Sequence, residues 1–157
     1  MSRFETKSYR VKFPGGLNGV QLAGIVDRPK MWPHAGPQTR SPVVVFSHCF
    51  TCNKDLKATV RISRALAKSG VAVMRFDMMG LGGSDGDFAA SNFSTNLDDL
   101  AAAIRFAHHE LGPVTALVGH SFGGIASLVT AGNATQNTTS GEQMPLDQLA
   151  FVATIAA

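Results

Sequence analysis

Hydrophobic positions follow two different rhythms along the chain. Near the N-terminus they alternate with polar ones, as in Tyr9-Arg10-Val11-Lys12-Phe13. This period of two predicts a half-buried strand. Pro14-Gly15-Gly16 and Asn18-Gly19 supply turn residues. Leu22 to Val26 makes a second strand, ended by Asp27-Arg28-Pro29, so the segment is expected to be an antiparallel β-meander. The proline-rich stretch 29–42 predicts a surface loop.

Beyond it the rhythm changes. Val43-Val44-Val45-Phe46, Val71 to Phe76 and Val114 to Val118 are continuous apolar runs broken only by Arg75 and Thr115. Such runs mark strands covered on both faces. Between them, residues 54–69 carry Leu56, Val60, Ile62, Ala65 and Leu66 at helical spacing and stop at Gly70. Residues 95–111 form a second helix, opened by Ser94 or Thr95, with Asp98 and Asp99 in its first turn, and ended by Gly112-Pro113. Phe122 to Ala131 gives a third helix. A polar tract over 132–145 interrupts the pattern, and Phe151 to Ile155 begins another strand. Strands alternating with helices predict a parallel sheet with right-handed crossovers.

At 157 residues, with 45% hydrophobic and 16% charged residues, the chain suits one folded domain covering 1–157. The net charge of +3 is mild. Lys54, Lys57, Arg61, Arg64 and Lys68 recur at helical spacing and read as a solvated helix face, so no nucleic-acid partner is expected. No apolar run approaches the ~18 residues of a membrane span, and no membrane association is expected. The opening MSRFETKSYR has no apolar core of a secretory signal. A cytoplasmic location follows as an expectation, with Cys49 and Cys52 as reduced thiols. Their C-x-x-C spacing admits a redox pair, but a zinc site would need two further ligands at similar spacing, so neither metal nor cofactor is expected.

The sharpest chemical signal is Gly119-His120-Ser121-Phe122-Gly123-Gly124, a G-x-S-x-G between a strand and a helix. In that setting the serine sits on a turn so tight that its neighbours two positions away must lack side chains. Ser121 is then the candidate nucleophile, and the Phe122 amide points where negative charge would develop on a substrate oxygen. A second donor is expected in the loop after the third strand, at the Phe50 amide. Cys49 there serves as a compact neighbour, and His48 braces the loop. After the next strand comes Asp77-Met78-Met79-Gly80-Leu81-Gly82-Gly83-Ser84. Its glycines match no dinucleotide fingerprint, because Asp85 stands where a third glycine is needed, and no phosphate loop, because Gly-Lys-Ser/Thr is missing. Asp77 reads as a loop-organising carboxylate.

Taken together, Asp-x-x-Gly-x-Gly-x-Ser at 77–84, the His-x-Phe loop at 48–50 and the elbow at 119–123 resemble the α/β-hydrolases. The stretch Ser47 to Asp55, with Arg75-Phe76-Asp77 and Asp85-Gly86-Asp87-Phe88, is similar to bacterial hydrolases often fused to an OsmC-like domain. The resemblance implies a mostly parallel α/β-hydrolase sheet with an N-terminal antiparallel meander. It also implies an esterase- or peptidase-like acyl hydrolase acting on a small-molecule ester or amide, with a triad in chain order Ser, Asp, His. The chain reaches Ala157 within what reads as the sixth strand of eight, so the sheet is expected to be truncated there. The acid and base loops are then expected to lie outside the chain, leaving it a partial domain of low activity. Of the histidines, His34 is in a loop, His108 and His109 are at a helix end, and His120 adjoins the serine facing away. An apolar strand on the sheet edge invites association, so a non-catalytic interaction module is an alternative reading.

Overall fold

In this computed structural model, residues 4–33, 41–134 and 144–155 are described. The elements are β1 (Thr6–Pro14), β2 (Gln21–Pro29), β3 (Val43–Ser47), α1 (Lys57–Lys68), β4 (Ala72–Phe76), α2 (Phe93–Leu111), β5 (Val114–His120), α3 (Phe122–Ala134) and β6 (Phe151–Ile155). A single 3₁₀ turn, Phe88–Ala90, precedes α2.

Six strands form one sheet in the order β1-β2-β4-β3-β5-β6. β1 and β2 pair antiparallel, and β2 runs antiparallel to β4; β4, β3, β5 and β6 are mutually parallel. The mixed sheet with an antiparallel N-terminal pair is the expected architecture.

Alternate residues of the central strands face opposite layers. Val43, Val45, Met74 and Leu117 pack with Leu100, Ala103, Ile104 and Ala107 of α2 and Ala126 of α3. Val44, Phe46, Val73, Ala116 and Val118 pack with Ile62 and Leu66 of α1. With a helix layer on each face, every residue of β3 and β4 is buried, which is why their sequences show no alternation. The chain winds from β3 through α1 to β4, then returns through α2 past β3 to β5. The winding therefore reverses beside β3, and the carboxyl ends of β3 and β5 flank the switch point where open α/β sheets bind ligands.

Several local expectations differ from the structure. Strand β2 runs through Asp27 to Pro29, and Asp27 is fully buried instead of turning the chain. It is held there by Arg75 Nε at 2.9 Å and by the hydroxyls of Ser8 and Ser63. Lys54 is not on the helix face; it precedes α1 and is buried. Helix α2 starts two residues early, capped by Asn92 in a reciprocal box with Thr95. Asp98 and Asp99 therefore lie beyond its first turn, and Asp99 is buried. Cys49 and Cys52 are joined in a disulfide, not free thiols. A turn closed by Cys52 N–H donating to Cys49 O at 3.1 Å sets their Cα atoms 5.2 Å apart, within the span a disulfide bridges. His34 and most of the polar tract lie outside the described residues. No described helix is long and apolar enough to cross a membrane.

Candidate active site

Ser121 sits between the last residue of β5 and the first of α3 with φ at +52°. For a side chain this is the left-handed region, which costs roughly 1–2 kcal/mol. The surroundings dictate it. A Cβ on Gly119 would lie 2.2 Å from the Gly123 carbonyl oxygen, and one on Gly123 would lie 2.4 Å from the Ser47 oxygen and 2.5 Å from that of His48. No side chain fits at either place, so strand and helix close on each other and Ser121 takes the bend. Its amide donates to Ile155 O of β6 at 3.1 Å, while its carbonyl accepts from Gly124 and starts α3. The elbow is thereby pressed against the exit of β3.

That exit carries the loop from Ser47 to Asp55. His48 is buried with both ring nitrogens occupied: Nδ1 lies 2.7 Å from Cys49 O, and Nε2 lies 3.1 Å from Met78 N. The pattern fixes a neutral tautomer, with Nδ1–H donating and Nε2 accepting from an amide. Burial pushes its pKa below the ordinary histidine value, and the Cys49 carbonyl opposes only in part. Phe50 is 58% exposed, and its ring meets those of Phe122 at 5.6 Å and Phe88 at 5.7 Å. Phe93, at the start of α2, packs edge-on against Phe122 at 5.5 Å. Among the described residues, no acceptor bonds the amides of Phe50 or Phe122.

Asp77 leaves β4 fully buried and gathers the two loops of the rim. Its carboxylate accepts from Lys54 N at 2.6 Å, Lys54 Nζ at 2.7 Å and Gly83 N at 2.9 Å. Its carbonyl accepts from Ser84 Oγ, which in turn takes the Ala23 amide of β2. Burial disfavours the Lys54 ammonium, but hydrogen bonds to Asp77 and Asp55 outweigh it and hold its pKa above the ordinary value. Arg75, 2% exposed, extends the network by donating to Lys54 O at 2.6 Å, Asp55 Oδ1 at 3.0 Å and Asp27. Burial would raise the Asp27 pKa, yet Ser63, Ser8 and Arg75 together bring it below the usual carboxylate range. On the other side of the loop, Asp99 accepts from Met79 N at 2.8 Å and Gly16 N at 3.2 Å. There burial prevails and its pKa is raised.

The structure thus brings Ser121, Phe122, Phe50, Gly119, Gly123, His48 and Asp77 to one end of the sheet. His120 adjoins the serine at the end of β5, its Nδ1 buried without a partner among the described residues. His108 and His109 lie near the far end of α2, about 23 Å along its axis from Phe93 at 1.5 Å per residue. Among the described residues, no hydrogen bond joins Ser121 Oγ to a histidine or carboxylate, and no cluster of side chains could hold a metal ion. Lys54, Asp27 and Ser63 were missed by the periodicity reading. Arg75 alone inside an apolar strand was the available signal, because a buried guanidinium requires buried acceptors.

A strained serine at a strand–helix elbow, on a sheet of this strand order, places the chain among the α/β-hydrolases. It belongs to the family described as serine aminopeptidase, S33, whose sequence profile matches residues 38–142. An esterase domain of a Rhodothermus marinus protein is 36% identical, with a TM-score of 0.63, covering 96% of this chain and 50% of that one. Est1E from Butyrivibrio proteoclasticus, with ferulic acid bound, is 28% identical, with a TM-score of 0.67, covering 80% and 47%. Brefeldin A esterase, a bacterial homologue of human hormone sensitive lipase, shares the fold with a TM-score of 0.71 and 22% identity, covering 99% and 41%. The chain spans about half the length of these structures. No curated protein matches it.

Proposed function

We propose that this chain supplies the nucleophile and oxyanion hole of an acyl hydrolase acting on a small-molecule ester or amide. Ser121 Oγ attacks the carbonyl carbon, and the amides of Phe122 and Phe50 receive the oxyanion. His48 and Asp77 position the loop without touching substrate: both His48 nitrogens are engaged, and Asp77 is committed to Lys54 and Gly83. The observation that carries the reading is Ser121 at +52° between two glycines that admit no side chain. The phenylalanine rings around it favour an apolar or aromatic group on the substrate, and the ferulic acid bound to Est1E agrees with that preference.

In the α/β-hydrolase chain order Ser, Asp, His the base follows the nucleophile, and no histidine stands between Ser121 and Ala157. A serine hydrolase without its triad partners retains only about 10³–10⁴-fold catalysis over water. Residues 1–157 on their own, as one partial domain, are therefore expected to turn over slowly. The test is covalent modification by a fluorophosphonate. We expect it to be fast at Ser121 in a longer form carrying further strands and to be lost there in Ser121→Ala; modification elsewhere, or none, in that form defeats the proposal. Comparing nitrophenyl ester hydrolysis by these residues and by a longer form carrying further strands locates the base. Equal rates place it within 1–157. The narrower likeness to hydrolases often fused to an OsmC-like domain rests on residues 47–55 together with 75–77, 85–88 and 119–121.

A second reading draws on β6, an edge of the described sheet, where Phe151 is exposed. Association through that edge predicts a concentration-dependent increase in mass by light scattering, and a constant monomer mass removes it.

A further inference from the structure

The disulfide between Cys49 and Cys52 encloses Phe50 and Thr51. Phe50 carries the amide assigned to the oxyanion hole. Thr51 stands at φ +57°, and among the described residues it and Ser121 are the only non-glycine residues on the left-handed side. The loop is pinned at one end by His48, whose Nδ1 donates to Cys49 O, and at the other by the Lys54 amide on Asp77. Between those pins the backbone has two hydrogen bonds, Cys52 N donating to Cys49 O and Asn53 O accepting from Leu56 N, and the sulfur bridge. A threonine held in the left-handed region is strained. The Phe50 N–H lies in the Cys49–Phe50 peptide, whose carbonyl is gripped by His48 and by the Cys52 amide, and the bridge holds the strained turn that keeps the second grip in place. Both cysteines are half-buried, and Phe50, Thr51 and Asn53 are exposed, so the sulfurs lie under a thin, solvent-facing cover.

We propose that Cys49–Cys52 is a redox switch on the oxyanion hole, opened by a dithiol reductant. A thiolate of the dithiol attacks one cysteine sulfur, the S–S bond breaks, and the other cysteine leaves as a thiolate that takes a proton. The second thiol of the reductant then attacks the mixed disulfide and frees the first cysteine. Two electrons and two protons pass to the protein, and the reductant becomes a disulfide. With the bridge open, Thr51 returns to the right-handed region, the turn closed by Cys52 N on Cys49 O opens, and the Cys49–Phe50 peptide, held then by His48 alone, rotates its N–H from the oxyanion position, so Ser121 loses reactivity. The switch rests on the reading of Phe50 as an oxyanion donor and of Ser121 as nucleophile.

The experiment measures the fluorophosphonate labelling rate of Ser121, in the longer form carrying further strands, as air-oxidised protein, after dithiothreitol, and after reoxidation. Iodoacetamide capture and intact mass report the thiols in parallel. Loss of one oxyanion donor lowers rates by about 10²–10³-fold, so reduction is expected to slow labelling on the order of 100-fold, with recovery on reoxidation. A Cys49→Ser, Cys52→Ser double variant is expected at the reduced rate with or without dithiothreitol. Amide NMR is expected to show Phe50 and Thr51 moving on reduction while the amides of α3 stay, which separates a local switch from unfolding. Equal labelling rates with both thiols captured overturn the switch and leave the proposed function standing. Two free thiols in the air-oxidised protein also overturn it. Absence of Ser121 labelling in every state overturns the hydrolase reading and the switch with it.

Discussion

At the elbow, residues 119–124, the backbone is held by what is missing: two glycines let β5, α3 and the exit of β3 approach until no Cβ fits. Across the rim, the loop from Ser47 to Asp55 is held by what is present. His48, Asp77, Lys54, Arg75 and a disulfide each contribute a side-chain bond to it. The first region is a steric solution confined to six consecutive residues. The second is an electrostatic one, gathered from β2, β4 and the loops that follow β3 and β4. Added atoms should therefore break the elbow, and removed atoms should break the loop.

The largest expected effect is on the loop side. Arg75→Met leaves the Asp27 carboxylate buried without its cation, and removal of one partner of a buried pair costs about 3–5 kcal/mol. Urea unfolding would read this as a lower midpoint; a loss below about 1 kcal/mol would show that Ser8 and Ser63 suffice for Asp27. At the elbow, Gly123→Ala is expected to cost about 3 kcal/mol, at the upper end of overpacking penalties, since its Cβ meets backbone oxygens that cannot swing away. Near-wild-type stability there would mean that the elbow is softer than its contacts imply.

The pH dependence separates the regions further. His48 is depressed in the fold, so below about pH 6.5 the unfolded chain takes up its proton while the folded chain resists. Stability should decline as pH falls from about 6.5, by up to about 1.4 kcal/mol per unit, until the folded value is reached. His48→Gln should flatten that slope, and a slope unchanged in the variant would assign it elsewhere. Asp27, also depressed, contributes stability present above about pH 3.9 and lost on further acidification through its lower folded value. The smallest effect runs the other way. Ser121→Gly relieves the left-handed backbone and should raise stability by about 1 kcal/mol in a thermal melt while abolishing covalent labelling. A lower melting temperature would deny that Ser121 is strained.

The same contrast explains what the sequence revealed. The elbow was legible because its determinants are residue types at fixed short spacing, and absent side chains leave an unambiguous record. The layer order was legible too, since strands covered on both faces must be apolar throughout. Lys54 was misplaced because its spacing from Lys57, Arg61 and Arg64 imitates a helix face, whereas its partner Asp77 is 23 positions away. Asp27 next to Arg28-Pro29 looked like a turn, and only its pairing with Arg75 across β2 and β4 makes it part of a strand. The disulfide depended on a left-handed threonine, which no composition rule predicts.

One hydrogen bond carries a consequence for how the molecule is assembled. The Ser121 amide is held by Ile155, on a strand that leaves the ribosome about 34 residues later. At about 5–20 residues per second, the hydroxyl waits on the order of 2–7 seconds before its last tether arrives. A nascent chain stalled before β6 would carry the whole recognisable motif while its serine still lacked a fixed direction, so the hydroxyl should be aimed late in translation and in one step.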